Sequence, residues 1–300
     1  MSETAASLRH KIASAKDLES VVRTMKAMAA SNIGQYENAV RSLGDYYRTV
    51  QLGLAASLKQ GEPTAFAGQG EDNGPAGAIV FGSDQGLVGQ FNEVMAAFVE
   101  EKLGSLPGKK TVWAVGERIH ARLAEAGLSP VSGFELPNSI NAITPLVGKI
   151  LIELELRRER GEIGQVYLFH NRPKSGSIYS SVSQRLLPLD ALWQRDLSAI
   201  SWPTGSLPEI VGGGDQTIRA LVSEYLFVSL FSACAESLAS ENASRLAAMQ
   251  RAEKNIDELR ESLNRTFHRL RQSGIDEELF DVISGFEAMT VGQGKHKGAG

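Results

Sequence analysis

Apolar residues recur at intervals of three and four residues in the last long stretch of the chain, residues 217–289. Between residues 249 and 270 they form one continuous stripe, made of Met249, Ala252, Ile256, Leu259, Leu263, Phe267 and Leu270. This spacing is typical of a helix whose apolar seam packs against a partner helix. No proline occurs after Pro208, so nothing in the stretch forces a break. The pattern predicts a long helix that needs a partner.

The first 60 residues carry a second stripe of the same kind. Its members are Leu8, Ile12, Ala15, Leu18, Val22, Met25, Ala29, Ile33, Tyr36, Val40, Leu43, Tyr47, Val50 and Leu54. Gly34, Gly44 and Gly53 interrupt the segment, each at a cost of about 1 kcal/mol relative to alanine, which so regular a stripe tolerates. We expect the two termini to pair as a long antiparallel coiled coil, with helices over residues 1–60 and 209–289.

The middle of the chain has a different spacing of apolar residues. Residues 61–76 are rich in Gly, Pro, Ala and Asn, which predicts a linker. Four short apolar runs follow, at residues 78–81, 111–115, 164–170 and 178–187, and segments with helical spacing separate the first three. Strands that alternate with helices predict an α/β fold, here a Rossmann-like domain with a largely parallel sheet over residues 77–205. Residues 290–300 are expected to form a disordered tail.

Composition narrows the class of protein. The formal net charge of −4 argues against a nucleic-acid binder, whose surface would be clearly basic. The single cysteine, Cys234, excludes an internal disulfide framework, and its apolar neighbours indicate a buried side chain rather than a nucleophile. We find no apolar signal-peptide core and no run of about 18 apolar residues. Direct insertion into a bilayer is therefore not expected.

The loop after the first strand is the one segment that favours an enzymatic interpretation. A glycine-rich turn from a strand into a helix is where backbone amides hold phosphates. However, Gly82, Gly86 and Gly89 have neither the dinucleotide nor the P-loop spacing, and Asp84 would repel a phosphate. We interpret the loop as a tight turn that packs the first helix after it, residues 91–103, on the sheet. Binding of a small anion at residues 83–86 remains the alternative.

Other catalytic patterns are missing from the sequence. The five histidines (His10, His120, His170, His268 and His296) are scattered, with no pair at the spacing of metal ligands. No nucleophile motif appears in the context that it requires. The sequence therefore predicts no catalytic residue, no cofactor and no metal site.

Three segments, in order along the chain, resemble the gamma subunit of the rotary F-type ATP synthase. The N-terminal segment reads LRHKIAS at residues 8–14 and MKAMAAS at residues 25–31, and the central one reads GSDQGLVG at residues 82–89. The third and strongest is LASENASRLAAM at residues 238–249, followed by Arg271-Gln272 and by IDEEL at residues 275–279. The similarity covers residues 5–289, in the family's order of helix, α/β domain and helix.

The resemblance implies a non-catalytic coupling subunit. In that family the terminal helices form the central shaft inside a ring of alternating alpha and beta subunits, and the beta subunits carry the ATP chemistry. The α/β domain forms the foot, against the epsilon subunit and the membrane c-ring. The implied location is the cytoplasmic face of a bacterial-type plasma membrane, as a peripheral protein.

The resemblance also implies five coupling residues. Met25, Glu241 and Arg245 match the family's shaft–ring coupling region, and Arg271 and Gln272 match residues that meet a catch loop of a beta subunit. Glu241 and Arg245 are four apart and share a helix face, so an ordinary surface ion pair is the competing interpretation.

Departures from the family pattern predict a divergent member. Asn32 replaces a usual lysine or arginine, Gln85 replaces a usual arginine, and Asp276 adds negative charge where the family has a hydroxyl. Beside this interpretation a second hypothesis stays open, a stand-alone coiled-coil scaffold whose α/β module binds a small anion at residues 83–86.

Overall fold

The computed structural model describes residues 4–60, 74–189, 191–206, 209 and 214–294. Two long helices enclose the other elements in sequence, α1 (Ala5–Gln60) at the start and α6 (Gly214–Gly294) at the end. Between them lie β1 (Ala76–Phe81), α2 (Phe91–Gly104), β2 (Lys110–Val115), α3 (Glu117–Glu125), β3 (Ser132–Phe134), α4 (Ile143–Glu159), β4 (Gln165–Lys174), β5 (Ser177–Leu187) and α5 (Ala191–Ser198), with a 3₁₀ turn at Ile140–Ala142.

The predicted element types are confirmed, and several boundaries change. The helix expected from residue 209 is described from Gly214, and it continues to Gly294 instead of ending at residue 289, because no proline stops it. The sequence missed β3 and α5, which are too short to show a period. Most of the predicted linker, residues 61–73, and the last six tail residues, 295–300, lie outside the described residues.

The sheet has the strand order β3-β2-β1-β4-β5. Its first four strands run parallel, and β5 is antiparallel to β4. Alternate residues of β1 point to opposite faces. Ala78 and Val80 pack with the buried residues of α2 and α3, whereas Ile79 and Phe81 pack with those of α4, α1 and α6. The sheet therefore has helices on both faces, as a parallel sheet requires.

The chain divides into two compact units. The smaller unit contains residues 1–26 and 249–300, and the larger contains residues 27–248. Within the smaller unit, α1 and α6 run antiparallel: successive contacts pair falling residue numbers on α1 with rising residue numbers on α6. Lys26 binds Glu253, Glu19 binds Arg260, and the Arg9 guanidinium lies 5.3 Å from the centre of the Phe267 ring.

The seam of the smaller unit differs from the predicted stripe at three positions. Leu18, Leu259 and Leu270 are 56%, 50% and 36% exposed. Beside the first two, Glu19 and Arg260 take the covered positions and form an ion pair between the helices. The expectation that these three leucines lie in the seam is wrong, because one partner helix covers only a narrow part of a wider apolar stripe.

Within the larger unit the same two helices are again antiparallel. Asn32 Nδ2 donates to Oδ1 of Asn242, and Tyr46 Oη donates to Glu224 across 2.7 Å. At Gly53 an added Cβ would lie 3.1 Å from Cδ2 of Leu221, so glycine permits a close approach of the two helices there. Antiparallel pairing of the terminal helices, as predicted, is confirmed within each unit.

One helical segment of the described residues, Gln216–Gly285, is long and apolar enough to cross a membrane by composition. The mean hydropathy of its most apolar window is 1.4, and half of that window is buried inside the protein. By this measure the expectation that no such stretch exists is wrong. The core helix of a soluble protein is equally apolar, because it is covered on several sides, so the segment is weak evidence for a membrane span.

Candidate functional site

Helix α6 lies at the point where the strand order of the sheet reverses. The chain builds outward from β1 through β2 and β3, and then returns to place β4 on the other side of β1. Open α/β sheets bind ligands at this position, beyond the carboxyl ends of the two strands. Here Glu236 of α6 binds residues at the end of β4, and Glu241 is close enough to Asp84, after β1, for the two charges to interact. The position of a usual ligand crevice is occupied by the protein's own helix.

Three consecutive residues of β4 are attached to one turn of α6. Pairing between β4 and β1 ends at Phe169, and the next residues face α6 instead. Nε2 of His170 and Nε of Arg172 each lie 2.7 Å from the same oxygen, Oε2 of Glu236. Between them, the carbonyl oxygen of Asn171 accepts a hydrogen bond from Ser240 Oγ at 3.1 Å. We call these five residues the β4–α6 clamp.

Burial and charge act in opposite directions on Glu236. Burial disfavours the carboxylate, but the hydrogen bonds from His170 and Arg172 outweigh it, and the pKa of Glu236 falls below its ordinary value. An ionised carboxylate only accepts hydrogen bonds, so His170 donates through Nε2. The clamp is therefore a charged group held by two donors.

One turn further along α6, Arg245 donates to Oε1 of Glu241 across 2.6 Å. Both side chains are largely withdrawn from solvent, with 13% and 5% exposed. Burial raises the pKa of Glu241, Arg245 opposes that rise, and the charge of Asp84 adds to it. The interpretation of this pair as an ordinary surface ion pair is wrong, because the rest of the larger unit covers it.

The buried groups around Glu241 are not arranged for nucleophilic chemistry. Burial raises the pKa of Cys234, and the nearby charge of Glu241 raises it further. The pKa of Tyr36 is also raised, first by burial and then by Cys234 and Glu241. Each of these groups stays protonated at neutral pH, so neither supplies a nucleophile.

The polar groups of the loop after β1 are bound within the loop and its neighbours. Ser83 N–H donates to Oδ1 of Asn92 at 3.0 Å, and its carbonyl accepts from Arg118 N–H at 2.9 Å. Oδ1 of Asp84 accepts from the backbone N–H of Glu117 at the start of α3, also at 2.9 Å. A carboxylate therefore already lies where an anion would meet the helix terminus.

An open cavity of about 430 Å³ adjoins this loop. Its lining includes the carboxylates of Asp84 and Glu117 and one guanidinium, Arg118. This balance of charge disfavours an anion, so the geometry argues against the small-anion alternative. Among the residues that the structure describes, no group of three or more His, Cys, Asp or Glu side chains could hold a metal ion.

The remaining predicted site residues lie elsewhere along the two long helices. Met25 is half-buried on α1, next to the ion pair between Lys26 and Glu253. Arg271 and Gln272 are exposed on α6. Of the five predicted residues, the structure brings Glu241 and Arg245 into contact with each other.

Sequence reasoning missed the β4–α6 clamp. His170 was one of five scattered histidines, and its partner lies 66 positions away. One signal was present, since Glu236 is the only charged residue between Tyr225 and Glu241. A lone charge within an apolar helical stretch needs a partner when it is buried.

Comparison with known proteins identifies relatives along nearly the whole chain. The family model described as ATP synthase matches residues 4–289. The ATP synthase gamma chain of Hyphomonas neptunium is 29% identical, over 94% of this chain and 98% of the relative. The gamma chains of Caulobacter vibrioides and Polynucleobacter asymbioticus are 29% and 25% identical over the same shares.

Solved structures share the fold. A chain in the cryo-EM structure of the Euglena gracilis mitochondrial ATP synthase with OSCP, F1 and c-ring has a TM-score of 0.68 at 16% identity, covering 96% of this chain and 95% of that one. A chain of the central stalk and c-ring of the Tetrahymena thermophila enzyme has a TM-score of 0.53 at 19% identity, over 77% and 99%. With the family match across residues 4–289, these findings show that the chain belongs to the ATP synthase gamma family.

Proposed function

We propose that this chain is the central-stalk subunit of a rotary ATP synthase. Its terminal helices act as the shaft inside a ring of alpha and beta subunits, and its α/β domain acts as the foot on the epsilon subunit and the membrane c-ring. The catalytic sites belong to the beta subunits. The chain itself couples ion flow to ATP synthesis or hydrolysis as a peripheral protein on the cytoplasmic face of a bacterial-type plasma membrane.

The observation that carries this proposal is the course of α6. In the larger unit α6 is bound to the end of the sheet through Glu236. In the smaller unit residues of the same helix form one side of an antiparallel helical pair. In a ligand-binding α/β protein the end of the sheet is left open for the ligand. Here that position is occupied by α6, which supports a role in transmitting motion rather than in binding a ligand.

The physical role of such a shaft is to present unequal contacts to equivalent sites. Moving one catalytic site between 1:99 and 99:1 in a two-state equilibrium takes about 5.5 kcal/mol of differential contact free energy. Met25, Glu241, Arg245, Arg271 and Gln272 are the residues that we propose for this coupling. Arg271 and Gln272 are exposed and would contact the ring directly, whereas Glu241 and Arg245 are buried and would act by stiffening the shaft.

Co-expression with the alpha and beta subunits of the same organism tests the proposal. We expect the three chains to co-purify as a complex with ATPase activity. A chain that purifies alone, and whose melting temperature rises with inorganic phosphate, would instead be the stand-alone scaffold.

A further inference from the structure

The β4–α6 clamp is a cluster of polar contacts between α6 and the sheet. A further and longer one joins Gln184 Nε2 of β5 to Tyr225 Oη, at 3.4 Å, earlier on α6. The neighbouring positions of α6 are small or apolar and buried, as at Ala233, Cys234 and Ala239. Such packing is non-directional, so it specifies the angle of a helix less sharply than hydrogen bonds do. Hydrogen bonds are directional, since they weaken steeply when the donor angle changes. The clamp therefore specifies the angle of α6 on the sheet more sharply than the apolar contacts do.

The clamp attaches α6 to the sheet at two points, Glu236 and Ser240. Glu236 and Ser240 are four residues apart, so they lie on one face of α6, one above the other. Both reach the same short segment of β4, residues 170–172. Two attachment points on one face oppose both rotation and sliding of the helix.

The sheet side of the clamp is itself braced. Ser181 of β5 donates to Oδ1 of Asn171 at 2.8 Å, and residues 170–172 pair with β5 through the antiparallel ladder. His170 is 1% exposed, and its Nδ1 has no hydrogen-bond partner among the described residues, so Nε2 makes the ring's hydrogen bond, to Glu236. A force applied through α6 at Glu236 is therefore passed to two strands of the sheet.

We infer that the β4–α6 clamp fixes the rotational register of α6 on the α/β domain, with Glu236 as a positioning residue through which torque passes between the two. This inference rests on the proposed function and adds the joint at which the foot and the shaft of one chain are held together. Loss of the joint lets the helix slip under load without disturbing chemistry elsewhere in the complex.

The test compares Glu236→Gln with Glu224→Gln in the assembled complex in inverted membrane vesicles. Glu224 lies on the same helix and also accepts a hydrogen bond, but at an exposed position and from another helix, through Tyr46 of α1. Two quantities are measured, the rate of ATP hydrolysis without an ion gradient and the largest ion gradient that hydrolysis sustains. An immunoblot checks that each variant is assembled in equal amount.

For Glu236→Gln we expect unchanged hydrolysis without a gradient and a sustained gradient that falls roughly threefold. The Glu224→Gln complex should match the wild type in both. A purely structural role would lower hydrolysis and pumping together at every load. If Glu236→Gln does not assemble, Ser240→Ala removes one attachment and keeps the charges, and it should show a smaller loss of the same kind.

The inference is overturned if Glu236→Gln and Ser240→Ala sustain the wild-type gradient, or if hydrolysis and pumping fall in proportion. A wild-type chain that supports no pumping would instead contradict the proposed function.

Discussion

Arg245 and Glu241 form an ion pair inside the protein, with 2.6 Å between Nη2 and Oε1. One further polar atom of each side chain, Nε of Arg245 and Oε2 of Glu241, is buried and has no hydrogen-bond partner among the described residues. The pair is buried yet only partly satisfied, which makes each member costly to leave alone.

Replacement of one member of this pair should be strongly destabilising. We expect Arg245→Ala to lower the free energy of unfolding of the chain by about 3–5 kcal/mol, because it leaves a buried carboxylate unpaired. Denaturant unfolding followed by circular dichroism measures the change.

Two comparisons sharpen this prediction. Lys254→Ala removes an exposed pair with Glu258 at the same spacing on the same helix and should change stability by less than about 1 kcal/mol. The double variant Glu241→Gln/Arg245→Met should recover most of the loss, since no buried charge remains. Equal effects of Arg245→Ala and Lys254→Ala would contradict a buried role.

Gly82 is required by packing at the end of β1. A Cβ at this position would lie 2.2 Å from Cβ of Ile119 and 2.8 Å from Oδ1 of Asn92. We expect Gly82→Ala to destabilise the α/β domain by about 1–3 kcal/mol through overpacking. Gly104→Ala, where an added Cβ meets nothing within 4 Å, is the matched control and should be neutral or slightly stabilising. Thermal unfolding distinguishes the two, and a neutral Gly82→Ala would disprove the close approach.

The clamp should make stability depend on pH in a defined direction. The folded-state pKa of Glu236 lies below its ordinary value near 4.5. Its contribution to stability is therefore complete above that ordinary value and is lost as the pH falls through the folded-state pKa. We expect Glu236→Gln to be less stable than the wild type at neutral pH, and the difference to shrink in acid. A difference that stays constant across unfolding measurements from neutral to acid pH would rule out this titration.

The observed seam of the smaller unit predicts different effects for two leucines on α1. Leu8 is fully buried and Leu18 is 56% exposed. Leu8→Ala should cost about 2 kcal/mol or more of local stability, whereas Leu18→Ala should stay within about 0.5 kcal/mol. Hydrogen exchange of the backbone amides in residues 5–26 reports the difference. Equal protection in both variants would show that the seam lies elsewhere.

Removal of the end of α6 should separate coupling from folding. A chain truncated after Asn264 loses Arg271 and Gln272 and keeps every residue of the larger unit. We expect the assembled complex to pump fewer ions per ATP hydrolysed, while hydrogen exchange of β1 and β4 stays at the wild-type level. Pumping at full efficiency would contradict the coupling role of these two residues.

Much of the fold follows from local pattern. Helical periodicity predicted α1 and α6, and four of the five strands were visible as apolar runs bounded by turn residues. The exceptions have physical reasons. The three residues of β3 are too few to show alternation, and α5 has only eight residues. The turn at Gly82 packs closely against Asn92 at the start of α2, as interpreted, and it packs still more closely against Ile119 of α3, which the sequence pattern did not indicate.

The amino-acid sequence by itself determined that the two ends of the chain are amphipathic helices around an α/β domain, because the spacing of apolar residues sets which surface an element must bury. Only the tertiary structure decided which residues meet. It placed Glu19 and Arg260 in the seam instead of Leu18 and Leu259, buried the pair of Glu241 and Arg245, and joined His170 to Glu236. The periodicity of apolar residues shows that a helix must pack against a partner. Which residues form that partner depends on contacts between positions far apart in the chain.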